Sequence, residues 1–160
     1  MNLNETDILL VEDSPEDVEL VSHVLRREHL ANNIYVAHDG EEALDFLFCR
    51  GAFAARSFDH PPKIVLLDLK LPKVNGLEVL RAIRNDPRTE YVPVVILTSS
   101  MEQRDLVDSY KLHVNSYVQK PVDFEKFQII VQQLGLYWLI VNRPVTATTS
   151  VAPEPGKSGD

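Results

Sequence analysis

At several points along this chain an apolar run ends in a residue able to handle phosphate or metal. Ile64-Val65-Leu66-Leu67 runs into Asp68, and Ile8-Leu9-Leu10-Val11 runs into Glu12-Asp13. Val92-Pro93-Val94-Val95-Ile96-Leu97 ends in the hydroxyls Thr98, Ser99 and Ser100, and Ser116-Tyr117-Val118-Gln119 ends in Lys120-Pro121. Each ending is a weak signal alone, because strands often stop at a charge and loop acids are usually just solvated. Together they describe a chemistry. Three carboxylates suit a hard cation such as Mg²⁺, which takes a few oxygen ligands and leaves room for a phosphate. An aspartate is a competent nucleophile toward phosphorus. It is ionised at neutral pH and needs no general base. Phosphoryl transfer then depends on positioning and on neutralising the equatorial oxygens, for which Mg²⁺, the Lys120 ammonium and the Thr98 hydroxyl are suited.

The elements between these endings decide whether the residues can meet. Short apolar runs, buried on both faces, alternate with helical patterns, the sign of an α/β fold with a parallel sheet. Parallel strands put their C-terminal ends on one edge, where ligands bind in open α/β sheets. Glu12-Asp13, Asp68, Thr98 and Lys120 are therefore expected to converge there. Ser14 is a natural cap for the first helix, Pro15 suits its first position, and Glu16 and Asp17 suit its positive end. Val18, Val21 and Leu25 follow at helical spacing. Asn33–Ala37 reads as a strand and Asp39-Gly40 as a turn. A helix from Glu41 to Phe48 turns Ala43, Leu44 and Leu47 inward, and Gly51 is expected to stop it. From Arg50 to Pro62 the pattern is lost, and Pro61-Pro62 rules out helix or central strand, so a long, functional or mobile loop is expected. Pro72 ends the strand of Asp68, and Asn75-Gly76 marks a turn before a helix with Leu77, Val79, Leu80 and Ile83 inside. A fourth helix, Met101 to Leu112, is expected to carry Leu106, Val107 and Tyr110 inward. Asp123 caps a long fifth helix with Phe124, Phe127, Val131, Leu134 and Trp138 on one face. Residues 143–160, rich in Pro, Thr, Ser and Gly, read as a disordered tail after a single domain over 1–142.

Composition narrows the function classes. The 160 residues are 44% hydrophobic and 25% charged, as in a soluble globular domain. A net charge of -8 argues against sequence-independent nucleic-acid binding, which needs cations against phosphate. The single Cys49 excludes an internal disulfide and a cysteine-rich zinc site, and reads as an ordinary, partly buried thiol. No run reaches membrane-spanning length and no signal pattern opens the chain, so a cytoplasmic protein is expected.

The segments LLVEDSP, LLDLKLPKVNG, LTSS and SYVQKP, in this order and spacing, resemble the receiver domain of two-component response regulators from about Asp7 to about Val141. The resemblance implies a flavodoxin-like, doubly wound (βα)5 fold with a parallel sheet of order 2-1-3-4-5. It implies Asp68 as phospho-acceptor, and Glu12, Asp13, Asp68 and the backbone carbonyl of Lys70 as Mg²⁺ ligands. Thr98 would be the switch hydroxyl, Tyr117 the switch aromatic, Lys120 the phosphate-binding lysine, and Lys120-Pro121 a cis peptide. Ser99 departs from the alanine often found after the switch hydroxyl, but is small enough to admit a phosphodonor. The Arg50–Pro62 loop, KLPKVNGLEVL and YWLIVNRP resemble the single-domain regulators paired with bacterial phytochromes.

Other readings fit less well. A flavodoxin needs a Ser/Thr/Gly-rich phosphate loop where this chain has acids, and a dinucleotide-binding domain needs a glycine cluster. A dehalogenase-type phosphatase would carry a second Asp where Lys70 stands, and a pseudo-receiver would lack one of the acids or Lys120. The expected protein is not an enzyme beyond its own aspartyl phosphorylation and dephosphorylation. It would take phosphate from a sensor histidine kinase, of the phytochrome type by resemblance, with no DNA-binding module following. The signal would leave by protein contact or through a histidine phosphotransfer protein, with no nucleic-acid or membrane partner. Ile129, Leu136, Tyr137, Leu139 and Ile140 add apolar area off the main stripe of the fifth helix. A homodimer through the face of the fourth helix, fifth strand and fifth helix is therefore expected.

Overall fold

The computed structural model describes residues 2–27 and 33–133. Five strands, β1 (Ile8–Val11), β2 (Ile34–Ala37), β3 (Ile64–Asp68), β4 (Val94–Thr98) and β5 (Ser116–Gln119), form one parallel sheet in the order β2-β1-β3-β4-β5. Helices α1 (Pro15–Arg27), α2 (Gly40–Leu47), α3 (Gly76–Arg84), α4 (Met101–Ser109) and α5 (Phe124–Gln133) connect and follow the strands. This is the flavodoxin-like topology expected from the sequence.

Successive strand residues face opposite sides of the sheet, so each apolar strand feeds two cores. Leu9, Val11, Leu67 and Ile96 pack with Phe46 of α2, Leu80 and Ile83 of α3, and Val107 of α4. Ile8, Leu10, Leu66 and Leu97 pack with Val21 and Leu25 of α1 and Phe127 of α5. The helices start where their caps stand. Ser14 Oγ accepts the Asp17 N–H at 3.3 Å, and Asp123 Oδ1 accepts the Lys126 N–H at 3.1 Å. Asn75 and Glu78 form a reciprocal capping box on α3. No helix among the described residues is long and apolar enough to cross a membrane.

Several local expectations are corrected. Asp39 is not a turn residue but the cap of α2, accepting the Glu42 N–H at 2.7 Å. The chain is already left-handed at Cys49, with φ 55°, so the helix has ended before Gly51, itself left-handed at φ 56°, is reached. Phe46, absent from the expected inward set, is fully buried. On α4 only Val107 is buried, while Leu106 and, just past the helix end, Tyr110 are exposed. The residues of α4 therefore supply little core, and its sequence period misled because polar positions lie between isolated apolar ones.

The long loop after α2 is anchored. It forms a 3-10 turn at Gly51–Phe53 and sends Arg56 inward, where the guanidinium lies 3.9 Å from the centroid of the Phe46 ring. Arg56 also donates to the carbonyls of Phe46 and His60, and the Ser57 N–H is held by Asn4 Oδ1 at 3.0 Å. Leu134, Leu136, Tyr137, Trp138, Leu139, Ile140 and the 143–160 tail lie outside the described residues.

Candidate phosphoacceptor site

Register explains how residues far apart in sequence meet. Val11 pairs with Leu67 across β1 and β3, so Glu12 emerges beside Asp68. Asp68 pairs with Leu97, and Thr98 with Gln119, which sets Thr98 and then Lys120 along the same sheet edge. The Lys120 N–H donates to the Thr98 carbonyl at 2.9 Å, and the peptide into Pro121 is cis.

Glu12, Asp13 and Asp68 each offer a carboxylate oxygen within 4.8 Å of the other two. Glu12 and Asp68 are buried and Asp13 is exposed. Into this cluster reaches Lys120, whose Nζ lies 2.8 Å from Glu12 Oε1 and 3.5 Å from Asp68 Oδ2. Its remaining close partner is Asp17 Oδ2, at 3.0 Å. Burial pushes the Glu12 carboxyl up from its ordinary range, and the Asp68 charge adds to this, against the opposing pull of Lys120. For Lys120 burial acts downward, but the contacts with Glu12 and Asp17 and the charge of Asp68 outweigh it and hold the ammonium firmly protonated.

Glu12 Oε2 accepts the Ser14 N–H at 3.2 Å, so this acid does help begin α1. Oε1 is buried without an aligned hydrogen bond, its contact with Lys120 being an ion pair by distance rather than by angle. A buried carboxylate oxygen with spare lone pairs, beside two more carboxylates, fits a small hard cation. Lys70 and Asp13 line one cleft of about 550 Å³ between the loop after β3 and α4, on the side where a carbonyl ligand from Lys70 was expected.

The backbone behind Asp68 is fixed by close approach. Gly76 N–H donates to the Leu69 carbonyl at 3.0 Å. A Cβ on Gly76 would stand 2.6 Å from Leu69 Cα and inside contact distance of the Asp68 carbonyl oxygen. Only glycine lets α3 begin against the strand end that carries the carboxylate.

Thr98 reaches the same edge but turns its hydroxyl away. Oγ1 lies 2.8 Å from the Ser100 carbonyl and 2.9 Å from Gln103 Oε1, which also accepts the Ser99 N–H at 3.1 Å. Tyr117 likewise faces outward: its hydroxyl donates to Asp108 Oδ1 at 2.5 Å, and the Arg104 guanidinium sits 4.5 Å from its ring centroid. Burial, then the bond to Asp108, pushes the phenol well above its ordinary value. Sequence reasoning missed Asp17 and Gln103. Asp17 looked sufficient as a helix-dipole acid, and nothing in the spacing marked Gln103.

A family comparison fits this geometry: residues 8–132 match the response regulator receiver domain. The chain belongs to that family. Over 133 residues this receiver is 39% identical to Response regulator Rcp1 of Synechocystis sp., spanning 82% of this chain and 88% of Rcp1. It is 42% identical to the probable methanogenesis regulatory protein FilR2 of Methanothrix harundinacea, spanning 85% of each. Among solved structures, the bacteriophytochrome response regulator AtBRR superposes with a TM-score of 0.77 at 50% identity, covering 85% of the receiver and 96% of AtBRR. A Mn²⁺-bound form of Rcp1 superposes with a TM-score of 0.66 at 37% identity, covering 89% and 98%. The receiver is thus related to phytochrome response regulators, and one relative holds a divalent metal.

Proposed function

We propose that this receiver is a single-domain response regulator that accepts a phosphoryl group on Asp68, in a Mg²⁺-dependent reaction, from a sensor histidine kinase of the phytochrome type. The observation that carries the reading is Asp68 itself, buried at a strand end with Lys120 Nζ 3.5 Å away and two further carboxylates beside it. An Asp68 carboxylate oxygen would attack the phosphorus of a phosphohistidine. The P–N bond breaks, its electron pair stays on the imidazole, and an acyl phosphate forms. Glu12, Asp13, Asp68 and the Lys70 carbonyl would hold Mg²⁺, which supplies charge neutralisation on the phosphoryl oxygens when bound. Lys120 would hold another of those oxygens, and Thr98 would leave Gln103 to bond a third.

On this reading the protein catalyses only its own phosphorylation and dephosphorylation, and works in the cytoplasm. Phosphorylation adds nearly two negative charges beside Lys120. With Thr98 drawn inward, Tyr117 gains room to leave Asp108, which changes the α4-β5-α5 face. That face already exposes Met101 and Leu106 on α4, Tyr110 just after it, and Ile129 on α5. It would carry the output, by a homodimer or another protein contact, or by onward transfer to a histidine phosphotransfer protein.

The test is phosphotransfer from an autophosphorylated phytochrome-type kinase, run against Asp68→Asn and with Mg²⁺ removed by chelation. Labelling should be lost in both arms. Equal labelling of Asp68→Asn and wild type would place the nucleophile elsewhere, and labelling without metal would remove Mg²⁺ from the reaction.

A further inference from the structure

Asp17 has no role in the family resemblance, yet it makes one of the shortest contacts to the group that the phosphoryl oxygen would need. Lys120 Nζ lies 3.0 Å from Asp17 Oδ2 and 2.8 Å from Glu12 Oε1, against 3.5 Å from Asp68 Oδ2. The ammonium is therefore drawn to the acids flanking the nucleophile more tightly than to the nucleophile itself. Asp17 is held in place to do this. It is the third residue of α1, and the bond from its own N–H to Ser14 Oγ at 3.3 Å fixes the backbone that carries the carboxylate.

Resting on the reading of Asp68 as phospho-acceptor, we propose that Asp17 is a positioning residue that competes with the phosphoryl group for Lys120. At rest it neutralises the ammonium from the α1 side. When three anionic oxygens arrive on Asp68, the contact with Asp17 still draws Lys120 toward α1 and shares its charge, so less of the ammonium is available to phosphate. The acid lowers affinity for phosphate on Asp68, and so makes the phosphorylated state less favourable than the same pocket would otherwise allow. Glu12 cannot serve in this way alone, because it is buried and its other oxygen is committed to the Ser14 N–H.

The experiment measures binding of beryllofluoride, which mimics a phosphoryl group on a carboxylate, to the full chain at saturating Mg²⁺. Wild type, Asp17→Asn, Lys120→Met and the double variant form a cycle, with Asp68→Asn as the site control. Asp17→Asn should bind about three- to tenfold more tightly, the range expected for a partly exposed charge contact. The gain should vanish in the Lys120→Met background, because Asp17 acts through Lys120. Asp17→Ser, which keeps a good helix-start residue, should show the same gain if Asp17→Asn folds poorly. Unchanged or weakened binding in both variants overturns the proposal, as does a gain that survives without Lys120. If wild type binds no better than Asp68→Asn, the phospho-acceptor reading itself fails, and the role of Asp17 with it. That outcome is distinct from a wild type that binds and Asp17 variants that do not differ.

Discussion

Replacing Lys120 with methionine tests whether the acid cluster is held together by this one ammonium. Methionine keeps most of the apolar stem and removes only the charge. Nζ sits 2.8 Å from Glu12 and 3.5 Å from Asp68. At an effective dielectric of about 20, those two contacts are worth roughly 6 and 5 kcal/mol of gross attraction. Most of this is offset, since burying the ammonium itself costs several kcal/mol. The loss that remains is dominated by a Glu12 carboxylate left buried beside Asp68 with no cation. Breaking one partner of such a pair costs about 3 kcal/mol or somewhat more. Lys120→Met should therefore lower the metal-free unfolding free energy at pH 7 by about 3 kcal/mol, roughly 10 °C in Tm.

The pH dependence fixes the cause. The folded Glu12 carboxyl is already raised by burial, and removal of Lys120 raises it further. An acid whose folded pKa lies above its unfolded value favours the protonated form in the native state. Its penalty is absent below the unfolded value of about 4.3 and grows as pH rises through the folded pKa. The stability gap between variant and wild type should thus narrow as pH falls from 7 toward 4. Millimolar Mg²⁺ should narrow it at pH 7, because the acids left without Lys120 bind the cation more tightly and tighter binding stabilises the native state more. Urea unfolding at pH 7 and 4.5, with and without Mg²⁺, measures all of this. A variant within 1 kcal/mol of wild type at pH 7 without metal, or a gap independent of pH, would refute the reasoning.

Gly76→Ala should cost both stability, by about 2–3 kcal/mol, and phosphorylation rate, since its Cβ meets Leu69 Cα at 2.6 Å and must push the Asp68 strand end aside. Urea unfolding and labelling by a small phosphodonor check it, and a variant like wild type in both would show that the loop yields freely. Gln103→Ala should release the Thr98 hydroxyl and the Ser99 N–H from α4. Beryllofluoride should then bind about two- to fivefold more tightly, the worth of one hydrogen bond surrendered on binding. Weaker binding would mean that Gln103 supports the phosphorylated form rather than the resting one.

How much of this was legible in the chain follows from the range of each interaction. The five strands, their alternation with helices and the polar residue that ends each run are local facts of sequence. In a parallel α/β sheet those facts suffice to bring Glu12, Asp13, Asp68, Thr98 and Lys120 to one edge. Caps at Ser14 and Asp123 were equally plain, because a cap bonds within one turn of itself. Side-chain direction was not legible. Thr98 reaches the edge but turns to Gln103, and Tyr117 turns to Asp108, because each finds its partner on α4. Arg56 gave no sign in sequence that it would leave its loop and lie on Phe46. Asp17 is the sharpest case: a dipole acid by its position in α1, it becomes a partner of Lys120, a residue 103 positions away, only when α1 and the end of β5 are brought together. Periodicity fixes which residues leave a strand end. Which atoms those residues then bond is a matter of a few ångströms between elements, and only the packed structure sets that distance.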